Sequence, residues 1–310
     1  MLSRRTLLKG VAAFGAGSAA FGGYAVAEPW RLGVTRYRIE PKGWPQGLEL
    51  KLAVIADLHV CEPWMSVDRV RQIVARTNAL APDVVLLLGD YRAGYKLSRI
   101  ARRVPDAEWA GALAGLTAPH GVHAVLGNHD FWDDLEVQRA RGGPTSAGRA
   151  LQAVGIPVYE NEAVRLSKGG MPFWVAGLGD QWAFYKPRGH MRRTRRYEGV
   201  HDLPATLAAV TDDAPIIMMA HEPDIFAEMP ARVALTLSGH THGGQVRVMG
   251  YSPIIPSAYG RRYAYGHIVE DDRHLIVSGG LGCSGVPVRF GVPPEIVVVE
   301  LGAHAGLSQV

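Results

Sequence analysis

Apolar residues gather along the chain in short runs of strand length: Leu50 to Ala56, Val84 to Leu88, Val122 to Leu126, Phe173 to Leu178, Ile216 to Ala220, Val233 to Leu237, His274 to Ser278 and Glu295 to Leu301. Most are nearly continuous rather than alternating, which is the pattern of strands covered on both faces. Between the first two runs, Val67, Val70, Ile73, Val74 and Leu80 recur at helical spacing behind Ser66, a good N-cap, until Pro82 forbids continuation. Leu50 to Leu88 therefore reads as strand, helix, strand. Further helices are predicted near Glu108 to Leu116 and over Ser146 to Val154, where Gly155 can end the helix in the left-handed conformation. Strands and helices alternating between Gly-rich loops predict an α/β fold with no internal repeat. One domain is expected over residues 49–302, after a linker at 28–48 rich in Pro, Trp and Gly and before a short tail at 303–310.

Residues 1–27 stand apart. Met1 to Gly10 is basic, Val11 to Ala25 is apolar and small, and Ala25-Val26-Ala27 has the form of a signal-peptidase site. Ser3-Arg4-Arg5-Thr6-Leu7-Leu8-Lys9 resembles a bacterial twin-arginine signal, and the weakly apolar stretch behind it suits that route. The expected destination is the periplasm or cell envelope, reached through the twin-arginine translocation machinery. The alternative is an N-terminal membrane anchor, against which five Gly and Ser residues, from Gly15 to Gly23, make the apolar stretch short and weak.

Charge changes its meaning once this leader is set aside. Taking Arg4, Arg5 and Lys9 from the 33 Lys and Arg leaves 30 basic residues against 29 acidic ones. A nearly neutral body gives no support to nucleic-acid binding. With 47% hydrophobic and 20% charged residues the chain is a folded globular protein. Cys61 and Cys283 are too few and too far apart for a disulfide framework or a Cys-based zinc site, and either pair with one another or stand as isolated thiols.

Chemistry is concentrated immediately after the apolar runs, in Asp57-Leu58-His59, Gly89-Asp90, Gly127-Asn128-His129-Asp130, His221, and Gly239-His240-Thr241-His242. In α/β sheets the carboxyl ends of strands face the crevice where ligands bind, so clusters far apart in sequence can converge. Asp57 and His59 are two apart, and in extended backbone both side chains point the same way; His240 and His242 repeat the spacing. Carboxylate, imidazole and amide oxygen suit Mn, Fe or Zn. Each cluster alone is common in loops, and His221 is the weakest. All five in order are a different matter.

The series resembles the calcineurin-like metallophosphoesterase superfamily, which carries D-x-H, G-D, G-N-H-D/E, H and G-H-x-H in that order. Gly243-Gly244-Gln245, Gly280-Leu281-Gly282 and Pro293-Pro294-Glu295-Ile296 further resemble its exported, twin-arginine branch. The resemblance implies a four-layer sandwich of two mixed β-sheets flanked by helices, and two divalent metal ions. The first ion would be held by Asp57, His59, Asp90 and His242; the second by Asp90, Asn128, His221 and His240, with Asp90 bridging. A water or hydroxide between the ions would attack phosphorus in line. His129 is implied as the non-ligand histidine that contacts the phosphoryl oxygen or protonates the leaving group, with Asp130 orienting its ring.

The expected activity is hydrolysis of phosphodiester or pyrophosphate bonds. The alternatives are a pyrophosphatase of the UDP-2,3-diacylglucosamine type acting on a lipid-linked substrate, a non-catalytic metal-binding envelope module, and a metal-dependent amide or lactam hydrolase, against which Asn128-His129 speaks. Around the centre, Tyr91-Arg92 points an Arg either at phosphate or outward. Trp174, Trp182, Phe184 and Tyr185 form either an apolar wall for an acyl or nucleoside group or part of the core. Arg188, Arg192, Arg193, Arg195 and Arg196 form either a solvated loop or an anion-binding patch suited to peripheral membrane association. The remaining histidines match no motif and read as structural or surface residues.

Overall fold

Residues 21–94, 97, 99–186 and 197–302 are described by a computed structural model; the leader before residue 21, the arginine run and the tail lie outside them. Among the described residues the strands are β1 (Gly33–Ile39), β2 (Leu50–Ile55), β3 (Cys61–Glu62), β4 (Val84–Leu87), β5 (Arg102–Arg103), β6 (Val122–Ala124), β7 (Glu162–Lys168), β8 (Met171–Gly177), β9 (Phe184–Tyr185), β10 (Tyr197–Glu198), β11 (Ile216–Met219), β12 (Val233–Ser238), β13 (Gly266–Glu270), β14 (Arg273–Val277) and β15 (Glu295–Leu301). Two large sheets dominate, ordered β1-β15-β2-β4-β6 and β13-β14-β12-β11-β8-β7. Both are mixed. In the first, β2, β4 and β6 run parallel while β15 opposes β2; in the second, β8, β11, β12 and β14 run parallel between antiparallel edges.

The sheets meet face to face because alternate residues of each strand point to opposite sides. Leu52, Val54, Leu86, Val297 and Val299 of one sheet share a buried cluster with Phe173, Val175, Ile217, Met219, Leu235 and Leu237 of the other. Their neighbours Ala53, Ile55, Val85 and Leu87 turn outward onto the helices Val67–Ala79, Asp106–Leu113 and Ser146–Ala153. On the far side, Ile216, Met218, Leu275 and Val277 bury Phe226 and Tyr263. The expected four-layer sandwich results.

All eight apolar runs lie on strands and all three expected helices are present. Ser66 caps the Val67–Ala79 helix by accepting the Arg69 N–H at 3.2 Å, and Gly155 follows the Ser146–Ala153 helix at φ 82°. The stretch 28–48 requires correction, because it is more than a linker: β1 lies inside it and pairs with β15 over seven residues. The edge strands β1, β7 and β13 escaped the pattern for one physical reason. Each has a wet face, and charged or polar residues break its apolar run.

Candidate metal centre

Asp57 and His59 follow β2, Asp90 follows β4, Asn128 and His129 follow β6, His221 follows β11, and His240 and His242 follow β12. The parallel strands thus bring them to one rim. Ligand atoms of Asp57, His59 and His242 lie within 4.8 Å of one another, as do those of Asp90, His221 and His240. Asp90 joins the groups: its Oδ2 is 3.5 Å from His59 Nε2 and 3.4 Å from His221 Nε2, while its Oδ1 accepts the His129 backbone N–H at 2.8 Å.

These residues fit a metal ion. Asn128 Oδ1 and His240 Nε2 are buried without a hydrogen-bond partner among the described residues, a costly arrangement for a polar atom with no ligand to meet. His59 Nε2 and His242 Nε2 face each other at 3.0 Å, where both cannot carry protons. His59 Nδ1 donates to the Arg92 carbonyl at 2.8 Å and His221 Nδ1 to the Leu88 carbonyl at 2.6 Å, which turns each Nε2 toward the basin.

Backbone geometry corrects one expectation. Asp57 and His59 are not extended; they sit at φ 54° and 46°, with Asp90 at 57°, His240 at 66° and His242 at 52°. Each strand has ended and the chain doubles back beneath the basin, so the left-handed conformation, not strand alternation, aims these side chains. Such a residue costs on the order of 1 kcal/mol or more and persists where its surroundings enforce it. Gly127 serves close approach: a Cβ there would collide with Asp90 Oδ1 and lie 2.6 Å from His221 Cε1.

Burial sets the charges. It pushes the Asp57 carboxyl up to about 7 despite the pull of His221, and His59 down to about 4. It also holds His240 and His242 well below the usual imidazole range, helped by neighbouring cationic groups. At Asp90 burial opposes ionisation, but His221, His129 and His59 overcome it and keep the carboxylate charged. His221 is driven the other way by Asp90, well above its ordinary value.

His129 stands at the basin edge, its ring 5.0 Å from His59 and 5.1 Å from Trp132, centroid to centroid. Burial resists its protonation, yet the carboxylates of Asp90 and Asp133 raise its pKa. Asp130 does not orient this ring. Its oxygens accept the backbone N–H groups of Gly127, Asp90, Tyr91 and Arg92 at 2.9 to 3.4 Å, so it anchors the loop that carries Asp90. The carboxylate nearest the imidazole is that of Asp133, 3.9 Å from Nδ1.

Arg92 points neither at the basin nor outward; it is buried with Nε 3.4 Å from Asp106. Of the four aromatics, Trp174 and Phe184 are core. Trp182 meets His240 edge-on at 4.6 Å, and Tyr197 stacks between Trp182 and Trp132 at 4.8 and 4.9 Å, with Tyr185 against Trp132 at 4.9 Å. An aromatic wall therefore flanks the basin, with a different membership from the sequence reading. Cys61 and Cys283 are buried free thiols.

Three more residues around the candidate ligands escaped the sequence reading. Arg289, fully buried, places a guanidinium nitrogen 3.1 Å from His242 Nδ1 and donates to the Gly282 and Val292 carbonyls. Asp180 and Glu222 form a third group with His221. Glu222 holds the Gln181 N–H at 2.9 Å and Asp180 the Trp182 N–H at 2.8 Å, which ties the aromatic wall to the metal ligands. Burial and the neighbouring Glu222 push the Asp180 carboxyl well above its usual range. The available signal was weak: Asp180 follows Gly179 just after β8, as Asp90 follows Gly89 after β4.

Buried oxygen and imidazole donors at the carboxyl ends of a two-sheet sandwich define the class, a metal-dependent phosphoric ester hydrolase. Residues 50–244 match the Calcineurin-like phosphoesterase family, a span that includes every candidate ligand from Asp57 to His242, and the chain belongs to that family. It is 31% identical over 311 residues to the metallophosphoesterase YkuE of Bacillus subtilis, covering 97% of this chain and 98% of that one. It is 28% identical over 307 residues to the phosphodiesterase YaeI of Escherichia coli, covering 97% and 100%. Among solved structures, a dimetal phosphatase from Danio rerio aligns with a TM-score of 0.41 at 14% identity, over 75% of this chain and 88% of that one.

Proposed function

We propose that the protein is an exported phosphodiesterase or pyrophosphatase that works with two divalent cations of the Mn, Fe or Zn type. Asp57, His59, Asp90 and His242 would hold one; Asp90, Asn128, His221 and His240 the other. The observation that carries this reading is the place of Asp90 Oδ2, 3.5 and 3.4 Å from imidazole nitrogens of the two groups. When bound, such a pair supplies an acidified water and positive charge at the reacting phosphorus.

The chain's own residues supply the rest. Against the resistance of burial, Asp90 and Asp133 raise the pKa of His129 and favour its protonated form, and at the basin edge it is placed to bind a phosphoryl oxygen or to protonate the departing one. Trp132 and Trp182 give the group beyond the phosphate an apolar neighbour, which favours a diester or pyrophosphate with two substituents over a small monoester. The phosphodiesterase name of the Escherichia coli relative supports the same preference. The leader supports twin-arginine export to the envelope.

The test compares hydrolysis of bis(p-nitrophenyl) phosphate and p-nitrophenyl phosphate by the metal-free chain and with Mn, Fe or Zn, beside Asp90→Asn and His129→Ala. Metal-dependent cleavage preferring the diester, lost in both folded variants, is expected. No turnover by folded, metal-loaded protein would favour a binding role instead.

A further inference from the structure

The loop that leaves the metal centre after Gln245 carries apolar side chains into solvent. Val248 is 42% exposed, Met249 102%, Tyr251 57% and Ile254 75%, and Val286 beside them is 54% exposed. This is a built tip rather than a frayed one: Val248 and Tyr251 exchange backbone hydrogen bonds at 2.9 Å, and Gln245 Nε2 binds the Val286 carbonyl at 2.8 Å. Val246 and Arg247 pair along Phe290, whose ring carries Phe21 stacked at 4.2 Å and Tyr24 edge-on at 5.1 Å. Phe21 and Tyr24 are themselves 45% and 40% exposed. Through the half-buried Phe290 the loop thus adjoins Phe21 and Tyr24, giving a surface with several exposed apolar side chains.

We propose that this surface docks onto a lipid bilayer. Large exposed apolar side chains rimmed by polar ones mark an interaction face. Three features select a lipid surface as the occupant. Met249 projects from the Val248–Tyr251 tip, with Ile254 exposed behind it, and a tip inserts among acyl chains more readily than it fills a protein groove. Tyr251 and Arg261, whose guanidinium lies 5.8 Å from the Tyr251 ring, supply the amphipathic aromatic and the cation that settle at headgroup level. In chains that keep the leader, the weakly apolar sequence from Val11 onward runs directly into Phe21 and so joins the body at this face. Docking here differs from leader anchoring alone because it fixes orientation. The loop starts three residues after His242, and its return brings the Ile254 carbonyl beside Gly244. A docked tip therefore holds the metal centre beside the membrane.

The test uses the full chain with phosphatidylglycerol and phosphatidylethanolamine vesicles. Met249→Cys and, as a control on the outer helix, Glu108→Cys each carry an environment-sensitive fluorophore; the native thiols are buried. Vesicles should shift the emission of the label at 249 to the blue and allow its quenching by brominated acyl chains, with no change at 108. In Val286→Cys chains, adding Met249→Glu and Ile254→Glu should abolish the shift at 286. Chains that float with the vesicles while the label at 249 stays water-like would overturn the proposal in favour of the leader alone. A blue shift without vesicles that grows with protein concentration would overturn it in favour of self-association. Cleavage of bis(p-nitrophenyl) phosphate, measured on every chain, should be unchanged, so failure to dock is distinguishable from failure of the proposed exported phosphoesterase function on which this inference rests.

Discussion

His129 and Asp130 are adjacent and do different work, which makes them separable by measurement. Removing a positioned proton donor costs on the order of 10²-fold to 10⁴-fold in rate, so His129→Ala should lose that much of kcat with its melting temperature and metal content intact. Asp130→Asn should behave in the opposite order. A neutral amide cannot accept all the N–H groups that Asp130 now holds, and the loss should destabilise the fold by about 1–3 kcal/mol and weaken metal binding through Asp90. Calorimetry and metal titration, run beside kinetics, separate the two; an Asp130→Asn protein with full stability and a shifted pH-rate profile would restore the orienting role.

Asp57 predicts a pH dependence. Its carboxyl titrates near 7 in the metal-free fold against an ordinary 3.8. A raised folded value means that the stability it contributes is complete below about pH 4 and is lost as pH rises through about 7. Above that, a buried anion burdens the fold and a cation relieves it. The gain in melting temperature on adding Mn to chelated protein should therefore grow between about pH 4 and pH 7. A gain that stays flat across the window would contradict the assignment of Asp57 as a ligand.

Among the elements, the tight turns after β2, β4 and β12 matter more than the strands they end, because they hold five candidate ligands in the left-handed region. Gly127→Ala tests how little room is left: its methyl group would strike Asp90 Oδ1, and metal content should fall although the sheets remain. A variant that binds metal normally would show that the basin can yield. The short ribbon of β9 and β10 is tied to specificity through the aromatic wall. Trp182→Ala removes a ring beside His240, and an aromatic contact of about 0.5–1.5 kcal/mol corresponds to a KM for an aryl diester raised about 2-fold to 10-fold. Central strands and long helices were legible in the sequence because burial on both faces leaves unbroken apolar runs. Edge strands such as β1 were not, since each satisfies only one dry face. The short helix Asn128–Trp132 was illegible as well, its first residues being chosen for the basin rather than for helical propensity.

At the scale of the whole molecule, stability resides where the two sheets meet. Leu237 is fully buried there, immediately before the turn that carries His240 and His242. Leu237→Ala should cost about 2–5 kcal/mol in denaturant unfolding, and loosening of the inter-sheet core should lower metal affinity with it. An unfolding midpoint that moves without any change in metal binding would show that rim and core are mechanically independent.

The candidate ligands Asp57, His59, Asp90, Asn128, His221, His240 and His242 could be proposed from sequence alone, because placement after apolar strands and donor chemistry are both local properties of the chain. The family follows from the same residues. Tertiary structure alone decided that Asp130 anchors a loop while Asp133 lies nearest His129, that Arg289, Asp180 and Glu222 surround the ligands, and that Trp132 and Tyr197 complete the wall. It also decided that Phe21 meets Phe290 beside the exposed loop. Each of these is a contact between segments remote in sequence or a direction set by a turn, and neither leaves a mark in periodicity or spacing.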